Sequence, residues 1–311
     1  MRKANLYGTD TRNITPYHQQ VEHNNLAEMI TKLEHSSRYA ERCQEIDEFN
    51  AGSKFLKKGI SLTPVKFGIS FTAQHLNQAG ALINIYTDGS VDVTHGGTEM
   101  GQGLHTKIAQ IVAQVFGIAV DKVKVSATRT DKVPNASPTA ASSGTDLNGK
   151  AAQNAAQTIK QRLIDFAVEH FAVESNEITF SDDLIDAGEH KLSFVELVQK
   201  AYFARVSLSS TGFYRTPKIY YDRENAQGRP FFYFAMGASV SEVLIDTLTG
   251  EYKLLQTDIL HDVGDSLNPA IDIGQIEGGY IQGVGWLTTE ELHWNDKGRL
   301  LTTGPATYKI P

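Results

Sequence analysis

Glycines and a single glutamine distinguish the stretch THGGTEMGQGLHTK, residues 94–107. A β-branched run precedes the glycines and a helical apolar pattern follows them, so the stretch lies at a predicted strand-to-helix junction. Free backbone N–H groups and the helix dipole at such a junction favour an anionic or oxo group. Gln102 would supply one directed amide donor to that group. The stretch therefore predicts a loop that binds a ligand.

Hydroxyl-bearing and small residues share a second stretch, VPNASPTAASSGTDLNG at residues 133–149, which also precedes a predicted helix. Two alanines, Ala140 and Ala141, leave space where a larger side chain would block a ligand. The hydroxyls belong to Thr139, Ser142, Ser143 and Thr145. Two loops of this kind, each between a strand and a helix, predict a shared polar or polyanionic cofactor.

A third stretch, DIGQIEGGYIQGVG at residues 272–285, predicts a helix with a glycine face. Gly274 and Gly278 lie on that face, and Gln275 and Gln282 place amides nearby. Taken alone, each of the three stretches has a simpler structural explanation. These explanations are a tight turn, an N-capping loop and close helix packing, respectively.

The composition is that of an ordinary globular protein and excludes several functional classes. The one cysteine, Cys43, excludes an internal disulfide, a cysteine-based zinc site and a thiolate-held iron–sulfur cluster within the 311 residues. A net charge of -7 argues against nucleic-acid binding, which needs clustered Lys and Arg. No apolar run reaches the ~18 residues of a membrane span and no secretory signal is recognisable. We therefore expect no membrane association and a cytoplasmic location.

Periodicity predicts the strands and helices that would position these stretches. Residues 80–97 alternate apolar and polar side chains around an Asp-Gly hairpin turn, and a helix with one apolar stripe begins at about Leu104. A second helix begins at about Leu147, two long strands cover residues 231–264, and a glycine-rich helix covers about residues 269–291. This mixed order predicts an α+β fold with antiparallel hairpins and with helices on one face.

Several stretches together resemble the molybdenum hydroxylases, the family of xanthine dehydrogenases and aldehyde oxidases. They are VKFGISFT, LNQAGALINIYTDGSVDVTHGGTEMGQGLHTK, VPNASPTAAS, TGFYRTP and SLNPAIDIGQIEGG. The similarity extends over about residues 13–311, and the combination of HGGTEMGQG with NASPTAAS is highly specific. The resemblance implies the molybdenum cofactor-binding domain fold of that family, with mixed sheets and helices packed on them.

The resemblance also guides the expected domain organisation. Residues 1–60 are polar with a few apolar positions in helical spacing, and we expect a helical arm or linker there rather than part of a core. Residues 61–311 are expected to form a molybdopterin-binding region of two α+β subdomains, at about 61–205 and 206–311. This region resembles the second half of the family's cofactor domain, truncated at both ends.

Individual residues acquire roles from the resemblance. In this family the molybdenum is held by the dithiolene of molybdopterin, without a protein ligand, and an amide, here Gln102, donates to the metal oxo group. Phe71 and Thr72 match substrate-binding residues, with Phe71 stacking on a heterocycle, and Ala140 and Ala141 match residues beside substrate and cofactor. Gln102 and Ala141 would lie near the molybdenum. The implied cofactor-binding residues are Gly101, Gln102, Gly103, Thr139, Ala140, Ala141, Ser142, Ser143 and Gln275.

The implied chemistry is hydroxylation of hypoxanthine and xanthine toward urate with water-derived oxygen. Electrons would then pass to iron–sulfur clusters, FAD and NAD on other domains or subunits. The family stretches FGGKE, FRGFGG and GEPP do not occur in this sequence, and the last carries the general-base glutamate. We therefore expect the isolated chain to be inactive and to need the missing halves of the domain, within an oligomeric enzyme. Two alternatives stay open: an aldehyde oxidase-type hydroxylase, and a noncatalytic assembly module of the same fold.

Overall fold

The chain divides into two compact units, Met1–Asp262 and Val263–Pro311. The computed structural model describes residues 1–133 and 135–311. The boundaries expected near residues 60 and 205 both fall inside the first unit, whose helices and strands share extensive contacts.

Helices and strands occur in a mixed order, which confirms the α+β class predicted from the sequence. The helices are α1 (Leu26–Ser36), α2 (Tyr39–Gly52), α3 (Leu104–Phe116), α4 (Lys150–Phe171), α5 (Phe194–Phe203) and α6 (Pro269–Thr288). The strands are β1 (Leu56–Ile69), β2 (Gln78–Ile85), β3 (Val91–His95), β4 (Val123–Val125), β5 (Ile178–Ser181), β6 (Leu184–Ala187), β7 (His190–Ser193), β8 (Ser209–Arg215), β9 (Tyr220–Asp222), β10 (Gln227–Arg229), β11 (Tyr233–Asp246) and β12 (Tyr252–His261). A π-helical turn, Thr145–Gly149, leads into α4.

A four-stranded sheet, β4-β3-β2-β8, positions the glycine-rich stretch predicted to bind a ligand. β2 pairs antiparallel with β3 and β8, whereas β3 pairs parallel with β4, so α3 connects two parallel strands. The predicted order of strand, loop, helix and strand is therefore confirmed. α3 and α4 pack on each other, and α4 also packs against β2 and β8. Among the fully buried residues of the two helices are Leu104, Ile108, Val112, Phe116, Ala151, Ala152, Ala155, Ile159 and Leu163.

The second sheet, β1-β11-β12, packs against α1 and α2. The apolar residues of α1 are one helical turn apart and share a core with strand residues; the cluster contains Leu26, Met29, Ile30, Leu33, Leu62, Met236, Ala238 and Val240. Arg42 of α2 forms ion pairs with Glu242 and Asp258 of this sheet, at 2.9 and 2.8 Å. The structure thus differs from the expectation of an arm outside the core, because the apolar partners of α1 lie far along the chain on β11.

Smaller sheets also occur in the first unit, and one of them is the antiparallel pair of β9 and β10. β5, β6 and β7 form an antiparallel sheet that the sequence analysis did not predict. In the second unit, Asn268 caps α6 by accepting a hydrogen bond from Ile271 N at 3.2 Å, and Pro269 occupies the first turn. Among the described residues of α6, Gly285 alone is buried, so the predicted glycine-rich helix is present with an open surface in this unit.

Candidate functional site

Three loops meet at one edge of the four-stranded sheet, where β2 begins and β3 ends. We name them the aromatic loop (residues 70–77), the glycine loop (residues 96–103) and the hydroxyl loop (residues 135–145). In the glycine loop, Thr98 N donates a hydrogen bond to Thr139 Oγ1 of the hydroxyl loop at 2.8 Å. The hydroxyl of Ser137 donates to Gln78 O, directly after the aromatic loop, at 3.0 Å. The two loops predicted from the sequence are therefore in contact.

A glycine at position 96 is required by the contact between the glycine and hydroxyl loops. A Cβ added to Gly96 would lie 2.4 Å from Ala136 Cβ, far inside van der Waals contact. Gly101 has a different constraint, a φ of +100°, in which L side chains are strained. A Cβ at Gly101 would meet no described atom within 4 Å, so this side of the glycine loop is open.

The Glu99 carboxylate binds the amide cluster at the start of α3. Oε1 accepts hydrogen bonds from Gly101 N at 2.9 Å and Gly103 N at 3.1 Å, and Oε2 accepts from His105 N at 3.0 Å. Burial raises the pKa of Glu99, but these amide hydrogen bonds outweigh it and hold the pKa below its ordinary value. The expectation that these N–H groups face a ligand is wrong, because a carboxylate of the same loop accepts their hydrogen bonds.

Gln102 is half-buried, and its amide is held within the glycine loop. Its Oε1 accepts a hydrogen bond from Met100 N at 2.6 Å, and its Nε2 donates to Thr98 O at 2.9 Å. An amide nitrogen carries two hydrogens. One Nε2 hydrogen can therefore hold the loop while the second remains for another acceptor. The role of Gln102 toward a cofactor stays a prediction that this geometry permits.

Two histidines flank the glycine loop. His95 is 1% exposed, and its Nδ1 accepts a hydrogen bond from Gly97 N at 3.0 Å. The ring centroids of His95 and His105 are 5.1 Å apart. Burial, followed by repulsion from His105, lowers the pKa of His95 to about 4. His95 is therefore neutral near pH 7 and supports the loop as a hydrogen-bond acceptor.

The hydroxyl loop turns through two successive residues in the left-handed conformation, Ala141 and Ser142, with φ of 56° and 54°. Within the part of the chain that the structure describes, the backbone N–H groups of this pair donate no hydrogen bond. Such oriented amides can bind acceptor atoms of an anionic or polar group. Ser143 is 3% exposed and its hydroxyl donates to Ala140 O at 3.1 Å, so that hydroxyl faces the protein. Pro134, in the predicted stretch, lies outside the described residues.

The remaining predicted residues lie in two separate places. Phe71 is half-buried and Thr72 is exposed, and both lie in the aromatic loop. Ser70, before them, has a φ of 142°, a backbone conformation that costs a non-glycine residue on the order of 1–3 kcal/mol and often occurs at functional sites. Gln275 is exposed on α6 in the second unit. The loops that carry these residues extend from the same end of the sheet, whereas Gln275 belongs to a unit described by itself.

Several polar residues in or next to these loops were not found by sequence analysis. Asn77 is 2% exposed and hydrogen-bonds both backbone groups of Phe71. Asp146, in the π-helical turn, accepts a hydrogen bond from the Tyr233 hydroxyl at 2.9 Å, and burial raises its pKa. Glu99 could have been identified from the sequence, because a carboxylate shortly before a helix stabilises the N-terminus of that helix. Asn77 and Asp146 could not, because their partners are set by the fold.

Known proteins are similar to this chain over most or all of its length. Residues 32–311 match the family model of the molybdopterin cofactor-binding domain. The chain is 48% identical to the xanthine dehydrogenase/oxidase of Felis catus, over 100% of this chain and 22% of that protein. For the xanthine dehydrogenase/oxidase of Gallus gallus the values are 47%, 100% and 21%. The crystal structure of quinoline 2-oxidoreductase from Pseudomonas putida 86 aligns with a TM-score of 0.81 at 25% identity, over 100% of this chain and 40% of that one.

The chain is much shorter than these relatives. The chain spans about a fifth of the length of the curated relatives that it matches. Within residues 1–133 and 135–311, no helix combines the length and the apolar character that crossing a membrane requires. The family model matches most of the chain, including all three loops at the sheet edge. The chain therefore belongs to the molybdopterin cofactor-binding domain family.

Proposed function

We propose that this chain is the molybdopterin-binding part of a xanthine dehydrogenase, an enzyme that hydroxylates hypoxanthine and xanthine toward urate. The observation that carries the proposal is the hydrogen bond between Thr98 of the glycine loop and Thr139 of the hydroxyl loop, at 2.8 Å. These are the loops that the resemblance assigns to the cofactor. The relatives that match the chain over its whole length are named xanthine dehydrogenase/oxidases, which favours a purine over an aldehyde as substrate.

The residues of the two loops fit a polar cofactor with anionic groups. The N–H groups of Ala141 and Ser142 provide oriented donors, and the open side of Gly101 allows contact with bare backbone. The small Ala140 side chain leaves room beside them. In this proposal, residues 139–142 and 101–103 hold the cofactor, and Gln275 is assigned to it by resemblance alone.

When bound, molybdopterin supplies the redox-active molybdenum that accepts electrons from the substrate carbon. Gln102 Nε2 keeps its hydrogen bond to Thr98 O and directs its second hydrogen at an acceptor atom of the cofactor. Glu99 holds Gly101 and Gly103 on either side, so the donor is oriented before the reaction begins. A preorganised donor stabilises charge that develops in the transition state without a reorganisation cost at that moment.

Substrate binding is assigned to the aromatic loop and to the small residues of the hydroxyl loop. The Phe71 ring stacks on the face of a planar heterocycle, and the Thr72 hydroxyl hydrogen-bonds its edge. Ala140 and Ala141 leave space for a flat ring between the aromatic loop and the cofactor. This arrangement favours aromatic heterocycles, because a stacked aromatic contact contributes beyond the area that it buries.

Further parts of a longer enzyme complete the proposal. The matched relatives are about five times as long as this chain, which leaves room for the iron–sulfur, FAD and NAD sites that would receive the electrons. The missing halves of the molybdopterin domain would complete the cofactor site and supply the general base. An oligomeric enzyme in the cytoplasm is part of the same proposal.

The test is a steady-state assay of the full-length protein that carries this chain, with xanthine, hypoxanthine and benzaldehyde as separate substrates. We expect turnover of xanthine at ~1 per second or more, and a kcat/KM for xanthine at least ~10-fold above that for benzaldehyde. A preference for benzaldehyde would indicate an aldehyde oxidase. Binding of molybdopterin without turnover of any of the three substrates would indicate a noncatalytic module.

A further inference from the structure

The buried amide of Asn77 holds the backbone of Phe71 from both sides. Asn77 Oδ1 accepts a hydrogen bond from Phe71 N, and Asn77 Nδ2 donates to Phe71 O, both at 2.8 Å. Longer hydrogen bonds from Nδ2 reach Ala73 O at 3.4 Å and Gln74 O at 3.3 Å. Asn77 is 2% exposed. One side chain thus satisfies several backbone groups of the aromatic loop that a buried location would otherwise leave unpaired.

The residue before Phe71 is held as firmly. Ser70 is 5% exposed and has a φ of 142°, which a non-glycine residue rarely adopts. Its Oγ accepts a hydrogen bond from Phe232 N at 3.3 Å, and the same N–H donates to Ile69 O at 2.9 Å. A conformation of this kind persists only where the surrounding structure enforces it. Phe71 therefore has a constrained neighbour on one side and the Asn77 amide on the other.

The aromatic loop is also fixed to the edge of the four-stranded sheet. Asn77 O accepts a hydrogen bond from Thr216 N at 3.0 Å, directly after β8. The next residue, Gln78, pairs with Arg215 within the sheet. The position of Phe71 is thereby set by the same sheet edge from which the glycine and hydroxyl loops extend.

The hydrogen bonds to Asn77 involve the backbone of Phe71 and leave its ring available. Phe71 is half-buried, and the neighbouring Thr72 is exposed. A backbone held by these hydrogen bonds, in a residue that is partly exposed, suits recognition of a flat ligand, because a small displacement of a positioned contact can cost a large factor in rate or binding. A turn that served stability alone would not need a constrained aromatic residue at its start.

We propose that Asn77 is a positioning residue that orients Phe71 and Thr72 toward a planar heteroaromatic substrate, an inference that rests on the proposed function. Asn77 does not touch the substrate; it acts through the backbone of Phe71. Its loss should therefore weaken binding of flat rings selectively. A small aliphatic substrate, which has no ring to stack, should be affected much less.

Asn50 provides a matched control. Its Oδ1 accepts a hydrogen bond from Lys58 N at 2.8 Å and its Nδ2 donates to Lys58 O at 2.9 Å, the same two-bond arrangement between α2 and β1. The variants Asn77→Ala and Asn50→Ala are made in the full-length protein that carries this chain. Hydrogen exchange of the aromatic loop, xanthine binding, and steady-state kinetics with xanthine and acetaldehyde are measured on both variants and the wild type.

For Asn77→Ala we expect exchange of the Phe71 amide to accelerate at least ~10-fold, because its hydrogen-bond acceptor is removed. The KM for xanthine should rise at least ~10-fold with kcat within ~3-fold, while kcat/KM for acetaldehyde stays within ~3-fold. Asn50→Ala should leave kcat/KM for both substrates within ~3-fold of the wild-type values. If Asn77→Ala does not fold, Asn77→Asp, which keeps the acceptor but loses the donor, should show the same selective loss.

Unchanged exchange at Phe71 in Asn77→Ala would overturn the role of Asn77. In either variant, an unchanged ratio of xanthine to acetaldehyde kcat/KM would overturn it as well. A wild-type protein that neither oxidises nor binds xanthine would overturn the proposed function and this inference with it. The two failures are distinguishable, because the first appears as a variant that matches an active wild type and the second appears in the wild type itself.

Discussion

Glu99 and Gln102 divide the polar groups of the glycine loop between them. Glu99 accepts hydrogen bonds from backbone N–H groups at the start of α3, where the helix dipole favours a negative charge. Gln102 bridges Met100 and Thr98 and retains one amide hydrogen. This geometry leaves Gln102 able to serve as the donor that we propose for the cofactor.

The first prediction at this scale concerns the Gln102 amide. In the full-length protein, Gln102→Ala should lower the maximal rate by at least ~10-fold, because removal of one preorganised donor typically costs about 10²–10³. Molybdenum content should stay close to that of wild type. Gln282→Ala, on the exposed surface of α6, should change the rate by less than ~3-fold. Steady-state kinetics and molybdenum quantitation on both variants test this prediction. Similar rates for the two variants would refute the role of Gln102.

The second residue-scale prediction is a pH dependence that originates at His95. Burial lowers the folded-state pKa to about 4 from the ordinary 6.5, so the unfolded chain binds more protons between these values. The stability that neutral His95 contributes is complete above pH ~6.5 and is lost as the pH falls toward ~4. His95→Asn can still accept the hydrogen bond from Gly97 but does not titrate.

Urea denaturation at two pH values measures this effect. From pH 7 to pH 5, the free energy of unfolding of the wild type should fall by about 1–2 kcal/mol more than that of His95→Asn. An equal pH dependence in both proteins would contradict a buried neutral His95.

At the scale of elements, features that follow from local sequence patterns could be predicted, whereas contacts between distant residues could not. The helical stripe from Leu104 and the two small-residue loops were found because glycine content and apolar periodicity are local properties. The packing of α1 on β11 was not found, because its partner Val240 lies far along the chain. Asn77 was missed for the same reason, since one asparagine in a polar stretch forms no pattern. The site was thus predictable as loops but not as a hydrogen-bond network.

The contact between the glycine and hydroxyl loops gives an element-scale prediction. Gly96→Ala places a Cβ 2.4 Å from Ala136 Cβ, so one loop must move. We expect the free energy of unfolding to fall by about 1–3 kcal/mol, as for other overpacked sites. Gly52→Ala, at the end of α2, adds a Cβ with no described atom within 4 Å and should not destabilise. Chemical denaturation of both variants tests this, and equal stabilities would show that the loops are not in tight contact.

At the scale of the whole molecule, the chain corresponds to one part of its longer relatives. It spans about a fifth of its curated relatives and contains the loops of one side of the proposed cofactor site. The first unit, Met1–Asp262, carries the three loops, whereas Val263–Pro311 carries α6 and Gln275. We therefore expect molybdenum in the full-length protein and not in the isolated chain, because the remaining contacts must offset the cost of ordering and binding.

The molybdenum content of the full-length protein tests the central claim most directly. Ala141→Glu adds volume and negative charge beside the unpaired amides of the hydroxyl loop, whereas Ala204→Glu changes an exposed position after α5. We predict about one molybdenum per chain in wild type and Ala204→Glu, and less than ~0.1 in Ala141→Glu, because like charge and lost space disfavour an anionic cofactor. A wild-type protein without molybdenum, or an Ala141→Glu protein with as much molybdenum as wild type, would contradict the assignment of these loops.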